Sequence, residues 1–128
     1  MKLFPVILAL FYLAATASAQ LDEKPIRAVG VISLEVFPGR PNYESIEDGD
    51  EVEKGWILTV TSEGKKERFQ LVVIDGSEQT FSTLRRCTGK RVAVEGSVWE
   101  AHTGHHHTPF LISIKNVQEA PRWHSPRP

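Results

Sequence analysis

Apolar residues alternate with polar ones, or are concentrated, in five segments of the chain, and this pattern predicts a protein built from β-strands. The segments are residues 27–37, 56–61, 68–74, 91–99 and 110–117. The fourth is the most regular, because Val92, Val94 and Val98 alternate with charged or small residues. Successive side chains of a strand point to opposite faces, so a period of two gives each strand one buried face.

A short helix is predicted between the third and fourth strands. Residues 80–87 place Phe81, Leu84 and Cys87 at intervals of three, which puts them on one face of a helix. Gly89 is suited to end it. The side chains that could cap its first turn are Thr80 and Ser82. Cys87 is thereby predicted to be a small buried residue; the alternative is a reactive thiolate beside two arginines, which would require exposure.

The order of these elements indicates a fold. A polar stretch with one glycine, residues 62–67, predicts a hairpin between the second and third strands. Five strands with a helix between the third and fourth predict an all-β, five-stranded OB-like barrel. Gly30 and Gly96 lie within the first and fourth strands. They fit the sharp bends and close approaches of a small barrel, although a twisted open sheet would also accommodate them.

The first 19 residues have the features of a secretory signal peptide. Lys2 is followed by an apolar run over residues 6–13 and by Ala-Ser-Ala at 17–19. The alternative is a membrane anchor, but the apolar run is shorter than the ~20 residues that a spanning helix needs. We therefore expect export to the periplasm or beyond, without membrane insertion after cleavage. The expected division is a signal peptide over 1–19, an N-terminal lead over 20–26, a barrel domain over 27–118 and a disordered tail over 119–128.

Composition narrows the classes of function. Without residues 1–19 the chain has 14 basic and 16 acidic groups. This balance argues against nucleic-acid binding, which depends on many Lys and Arg side chains at phosphates. The sequence has no nucleophile elbow, Walker loop or dinucleotide fingerprint, so we do not expect an enzyme. A single cysteine cannot form an intramolecular disulfide.

Four of the five histidines lie within residues 102–107, between the fourth and fifth strands. In extended backbone His105 and His107 would point to the same side, and the turn that precedes them could bring His102 round as a third ligand. Such a set could hold a divalent Zn, Cu or Ni ion. The alternative is structural, with the imidazoles bonded to backbone groups and packed on aromatic neighbours. A third hypothesis is a hydrolase with His102 or His105 as its base, for which no nucleophile can be named.

Two further clusters carry opposite charge. Six carboxylates lie in residues 44–53, between the first and second strands, and four cations lie in residues 85–91. The acidic cluster lacks the spacing of a calcium-binding loop, which favours a solvated loop. The basic cluster could contact an acidic partner, or the aliphatic parts of its Lys and Arg side chains could cover apolar surface. In an OB-like barrel the acidic and His-rich loops would border one ligand face, which would favour a cationic ligand, a metal ion or a basic patch.

Part of the chain resembles a known family. The segment over 89–98, followed by 101–112, is similar to a bacterial family of exported domains of unknown function that carries a T-G-H-H-H-T-P signature. Residues 41–46 and 49–50 resemble its first loop. The resemblance implies an exported, periplasmic domain and carries no established activity or cofactor. If the signature marks a site, its positions here are His102, His105, His106, His107 and Thr108, with Tyr43 and Asp50 as secondary candidates.

From the sequence we therefore expect an exported OB-like binding module. Its ligand, an unknown protein or small molecule of the bacterial envelope, would meet the face bordered by the His-rich loop over 100–109 and the acidic loop over 38–54. A transition-metal-binding protein and a hydrolase are the alternatives.

Overall fold

The structure is a computed structural model that describes residues 23–74 and 76–121. The predicted signal peptide and the last seven residues of the predicted tail lie outside the described residues. Within the described part, no helix is long and apolar enough to cross a membrane.

Five strands and one helix make up the described chain. They are β1 (Lys24–Pro38), β2 (Val52–Ser62), β3 (Lys65–Val72), α1 (Glu78–Cys87), β4 (Arg91–Glu100) and β5 (Phe110–Glu119). The strands form one mixed sheet that closes in a ring in the order β1-β2-β3-β5-β4, and only β3 and β5 are parallel. This confirms the predicted mostly-β fold and the position of its helix.

The ring is not a clean barrel. The first half of β1 pairs with β4 through residues 24–31, and its second half pairs with β2 through residues 31–38. The β4–β5 register also shifts between Glu95 and Gly96. The C-terminal half of β1 and the N-terminal half of β2 therefore extend beyond the region where all five strands meet.

Most strands are longer than the apolar pattern predicts, because cross-strand pairing also recruits polar residues. β2 begins four residues before Trp56, where Val52 pairs with Pro38. β3 begins at Lys65, and a two-residue turn at Glu63 and Gly64, both with positive φ, joins it to β2. Hydrogen bonding across a hairpin does not depend on apolar side chains, so alternation alone misses these ends.

The helix begins earlier than the sequence predicts. Its N-cap is Ser77, whose hydroxyl accepts a hydrogen bond from the Thr80 amide. The prediction that Thr80 or Ser82 caps the helix was wrong, because Glu78 and Gln79 extend the first turn without contributing to the apolar face. At the other end Gly89 has a positive φ of 85°, a conformation that glycine adopts without strain.

The core lies inside the ring and is closed at one end by α1. Ile32, Leu58 and Val94 are fully buried there, and so are Leu84 and Cys87 of the helix. The predicted burial of the single cysteine is confirmed.

Two glycines lie where strands come too close for a side chain. A Cβ at Gly30 would overlap the Thr59 carbonyl oxygen, and a Cβ at Gly96 would overlap that of Ser113. The close approach predicted for both positions is confirmed, and Gly96 lies at the β4–β5 register shift.

Candidate functional site

The acidic loop between β1 and β2 is organised by one buried carboxylate. Asp50 is 6% exposed and accepts hydrogen bonds from the backbone amides of Glu44 at 2.7 Å, Ser45 at 2.9 Å and Asn42 at 2.9 Å. The bonds from Glu44 and Ser45 lower the pKa of Asp50 below its ordinary value, against a smaller opposing effect of burial. Asp50 therefore fixes the loop that carries the exposed carboxylates, and Gly49 before it turns the chain with φ 112°.

The His-rich loop between β4 and β5 is closed at its base and fastened to β3. The Ala101 amide donates to the Pro109 carbonyl at 2.9 Å. Thr108 is 5% exposed; its hydroxyl accepts from the Gln70 amide at 2.8 Å and donates to the Phe110 carbonyl at 2.7 Å. Thr108 thus fixes the point at which β5 begins to run beside β3.

The side chain of Gln70 attaches the middle of the same loop. Its carbonyl accepts from the His107 amide at 2.7 Å, and its amide donates to the His105 carbonyl at 3.2 Å. Gln70 lies on the outer face of the sheet, because its neighbours Phe69 and Leu71 belong to the core. The His-rich loop therefore lies against the outer face of the sheet.

This contact covers a second apolar layer. One row of paired residues crosses the outer face: Ser33, Ile57, Gln70, Leu111 and Trp99. Ile57 and Leu111 are both fully buried, yet neither belongs to the core cluster inside the ring. Since Gln70 lies between them in the row, the loop that it holds shields them from solvent. The His-rich loop, which the sequence predicts to border a ligand face, therefore lies over this part of the outer face of the sheet.

Glu53 connects the two loops. Its carboxylate bonds to His105 Nδ1 at 2.7 Å and to His107 Nε2 at 2.5 Å. Burial raises the pKa of Glu53, but the hydrogen bonds from His107 and His105 outweigh it, and the pKa lies below its ordinary value. One ionised carboxylate on β2 therefore holds two histidines of the β4–β5 loop.

Aromatic packing supports the same junction. Phe37 stacks on the His107 ring with a centroid distance of 4.2 Å. The Tyr43 hydroxyl lies 3.1 Å from His105 Nε2, and the two rings meet edge to face at 5.2 Å. Gly104 lies directly against Tyr43, where an added Cβ would come within 2.6 Å of the ring. Tyr43 and Phe37 thus fit against the His-rich loop from the β1 side.

The other two histidines of the cluster face a different residue. His106 Nδ1 accepts from the His102 and Thr103 amides at 2.9 and 3.2 Å. The rings of His102 and His106 contact Trp99 at centroid distances of 5.6 and 4.9 Å. Burial lowers the pKa of His106, and the neighbouring histidines lower it further. His106 is consequently neutral and acts as an acceptor that shapes the turn.

The imidazoles therefore divide into two pairs. His105 and His107 share Glu53, whereas His102 and His106 lie on Trp99. Among residues 23–74 and 76–121, no group of three or more His, Cys, Asp or Glu side chains is arranged to hold a metal ion. The structure does not bring His102 to the other two predicted ligands.

Exposed charge surrounds this junction. The side chains of Glu44, Glu47 and Asp48 are exposed and form no ion pair with the described residues. Glu51 lies 3.8 Å from Arg40 in an exposed ion pair. We call the combined surface of residues 42–51 and 102–107 the two-loop surface. It includes these three carboxylates, which form no ion pair within the described part of the chain, and the ring of His105, whose side chain is 56% exposed.

Sequence reasoning missed the residues that hold the loops in place. The apolar pattern places Gln70 and Phe37 in strands without a further role and leaves Glu53 in an acidic run. Trp99, in contrast, is an aromatic neighbour that the structural alternative assigns to the loop histidines, and its ring contacts His102 and His106. The signal that could have found Glu53 is the register, since it lies opposite Phe37 once β2 is extended to Val52.

Residues 68–118 match the family model of a domain of unknown function, DUF4431. The matched segment runs from β3 to β5 and includes the whole His-rich loop. It excludes the acidic loop and Glu53, so the junction described above joins the DUF4431 segment to the part of the chain before it. No curated protein matches the chain. No solved structure matches it either.

Proposed function

We propose that this protein is an exported, non-catalytic binding module that engages a cationic partner at the two-loop surface. The T-G-H-H-H-T-P signature, which lies within the DUF4431 segment, serves in this proposal to build that surface. The partner would be a basic segment of a protein, or a small cation, of the bacterial envelope.

The observation that carries the proposal is the junction at Glu53. A carboxylate that binds His105 and His107 together spans two loops far apart in the sequence. The junction gives these loops one defined arrangement, and a preorganised surface loses less conformational entropy when it binds a partner.

The charge of the surface supports a cationic partner. The carboxylates of Asp50 and Glu53 accept hydrogen bonds from backbone amides and imidazoles, whereas those of Glu44, Glu47 and Asp48 have no such contacts with residues 23–74 and 76–121. Several like charges held on one small surface attract an oppositely charged partner and increase its rate of association. Since the His-rich loop covers the outer face of the sheet, the partner would contact the loops and not the strands.

The proposal is tested by titrating the purified protein with a tetralysine peptide and following backbone amide resonances by NMR. We expect shifts concentrated in residues 42–51 and 102–107. The triple variant Glu44→Gln, Glu47→Gln, Asp48→Asn should weaken binding at least about tenfold, since each exposed charge adds to the local potential.

The matched control also neutralises three exposed carboxylates, Glu63, Glu67 and Glu119, all of which lie outside the two-loop surface. It removes charge from the same protein without touching the two-loop surface. Equal weakening in both variants, or shifts spread evenly over the protein, would show that only the overall charge matters and would reject the proposal.

A transition-metal site is the alternative function, and it has one observation in its favour. His105 and His107 direct ring nitrogens at the same carboxylate. Thermal unfolding with micromolar Zn(II), Cu(II) or Ni(II) tests it, because a ligand selective for the native state raises the melting temperature. A rise that is lost in His105→Ala, His107→Ala but kept in His102→Ala would favour the metal site over the cationic partner.

A further inference from the structure

One edge of β1 has no partner strand over part of its length. β4 pairs with β1 only as far as Val31, which lies opposite Arg91, the first residue of β4. The residues before Arg91 turn away from β1 and connect β4 to α1. β1 itself continues to Pro38 and is paired there only with β2. Among the described residues, no strand therefore pairs with this edge of β1 beyond Ile32.

The backbone hydrogen bonds define which groups point to this open edge. The Gly39 amide donates to Glu51 on the β2 side, whereas the Ile32 amide donates to Lys90 on the other side. In an antiparallel pair, successive residues direct their backbone N–H and C=O groups alternately to one side of the strand and to the other. The N–H and C=O groups of Leu34 and Val36 therefore point to the open edge, and those of Glu35 and Phe37 point to β2.

The side chains along this edge are apolar and exposed. Leu34 is 45% exposed, Val36 is 54% exposed, and Val52, which faces the same side opposite Pro38, is 57% exposed. Leu34 and Val36 occupy alternate positions on one face of β1, as buried strand residues do, but they lie outside the core of the ring. Open backbone groups and exposed apolar side chains together are the features that attract an additional strand.

We propose that the open edge of β1 over residues 34–37 binds an extended segment of a partner protein, which adds to the sheet as a strand antiparallel to β1. Strand addition of this kind takes its affinity from main-chain hydrogen bonds and its specificity from alternate side chains. The added strand would occupy the position that β4 leaves empty, and its apolar side chains would cover Leu34 and Val36.

Charge at the two ends of the edge sets the chemistry of the partner. Lys90 and Arg91 lie where β4 begins, next to Ile32 and Val31. The acidic loop follows Pro38 at the other end. A strand antiparallel to β1 begins beside the acidic loop and ends beside Lys90. The partner segment therefore has basic residues at its N-terminal end, alternating apolar residues in its middle and acidic residues at its C-terminal end.

Hydrogen exchange in the unliganded protein tests the open edge directly. We expect the Leu34 and Val36 amides to exchange at least about a hundredfold faster than those of Glu35 and Phe37, which donate to β2. Slow exchange at Leu34 and Val36 that is independent of protein concentration would show that another part of the chain already occupies the edge. Protection that increases with concentration would assign the edge to a second copy. Either result overturns the proposal.

The second experiment uses a synthetic peptide with two lysines, a run of alternating threonine and valine, and two glutamates. A peptide with the lysines and glutamates exchanged is the direction control. We expect the first peptide to protect the Leu34 and Val36 amides and to bind at least about fivefold more tightly than the second. Equal binding, or protection elsewhere, would contradict the proposal.

The variant Val36→Pro removes the edge N–H without removing a hydrogen bond to β2, because that N–H points away from β2. It should weaken peptide binding at least about tenfold. Val36→Thr has nearly the same shape and keeps the N–H, so it should stay within about threefold of the wild type. The open edge lies on β1, outside residues 42–51 and 102–107, and only the basic end of the added segment would reach the acidic loop. Tetralysine binding that persists while the peptide fails to protect Leu34 and Val36 in the wild type would reject strand addition and leave the proposed function intact.

Discussion

Phe37 and Glu53 lie directly opposite each other on β1 and β2, and both hold the imidazole of His107. Phe37 stacks on the ring at 4.2 Å, and the Glu53 carboxylate bonds to Nε2 at 2.5 Å. The ring is thereby fixed by one aromatic contact and one hydrogen bond to a carboxylate, from adjacent strands. The side chain of His107 is only 9% exposed, so the histidine that sequence reasoning proposes as a metal ligand forms part of the structural contact between two loops.

Replacing Glu53 with Gln should destabilise the protein by about 1–3 kcal/mol, because two hydrogen bonds to a partly buried charged group contribute about that much. Chemical denaturation measures the change in the free energy of unfolding. Glu51→Gln is the matched control, since Glu51 is exposed, lies two residues before Glu53 and, among the described residues, forms an ion pair only with Arg40 at 3.8 Å. It should change the free energy by less than about 0.5 kcal/mol. Similar losses in both variants would mean that Glu53 does not join the loops.

Acid should weaken the same junction. The pKa of Glu53 lies below its ordinary value of 4.5, and that of Asp50 lies below 3.8. A carboxylate with a lowered pKa in the folded state stabilises the fold above its unfolded pKa, and this stabilisation is lost as pH falls through the folded pKa. The difference in unfolding free energy between wild type and Glu53→Gln should therefore shrink as pH falls below 4.5. A difference that is constant from pH 7 to pH 3 would contradict this assignment.

The pattern of apolar residues predicts the number of strands, their order and the position of the helix, because these follow from which faces are buried. It does not predict where the strands end. Trp56 is the first alternating apolar residue of β2, so alternation assigns Glu53 to the preceding loop. In the structure Glu53 belongs to β2, because its backbone pairs with Phe37. Pairing is set by the neighbouring strand, and a single strand's pattern does not contain that information.

The contacts of the candidate site are also not predictable from the pattern of single segments, because they depend on strand pairing. Spacing brings His105 and His107 to one side of the loop, as alternation in an extended chain implies. Their partner lies more than fifty residues away, and its identity depends on how β1, β2 and β3 are aligned. The sequence does not predict that Gln70 binds the His-rich loop, because one polar residue on a strand is ordinarily solvated. Its two bonds to the His-rich loop exist only because the ring places β3 beside β5.

His106 should titrate at a lower pH than an unperturbed histidine. Burial lowers its pKa from 6.5, and a protonated Nδ1 could not accept the amides of His102 and Thr103. The stabilisation from the neutral ring is therefore present above 6.5 and is lost as pH falls through the folded pKa. An NMR titration of the His106 ring protons measures the midpoint. A midpoint at or above 6.5 would show that the Nδ1 bonds do not form.

His106→Asn provides a second measurement of the same contact. The side-chain oxygen of Asn can accept the two amides in place of Nδ1 but does not titrate in this range. Its stability should stay within about 1 kcal/mol of the wild type at neutral pH. His106→Ala, which removes the acceptor, should cost about 1–3 kcal/mol.

Gly104→Ala should separate the two loops at Tyr43. The added Cβ would lie 2.6 Å from the Tyr43 ring, so the ring would have to move away from His105. A double-mutant cycle with Tyr43→Ala checks this cause, because removing the ring removes the overlap. We expect Gly104→Ala to cost at least about 1 kcal/mol more in the wild type than in Tyr43→Ala. Equal costs in the two backgrounds would assign the effect to the backbone of Gly104 alone.

Leu111→Ala tests whether the His-rich loop and the outer face of the sheet stabilise each other. Leu111 is fully buried but lies outside the core cluster, so its truncation should cost about 2–5 kcal/mol. The adjacent Phe110 is 45% exposed, and Phe110→Ala should cost less than Leu111→Ala despite removing a larger side chain. Because the loop rests on this layer, Leu111→Ala should also increase amide exchange at His107, which donates to Gln70. Unchanged exchange at His107 would show that Gln70 holds the loop without support from the apolar layer beneath it.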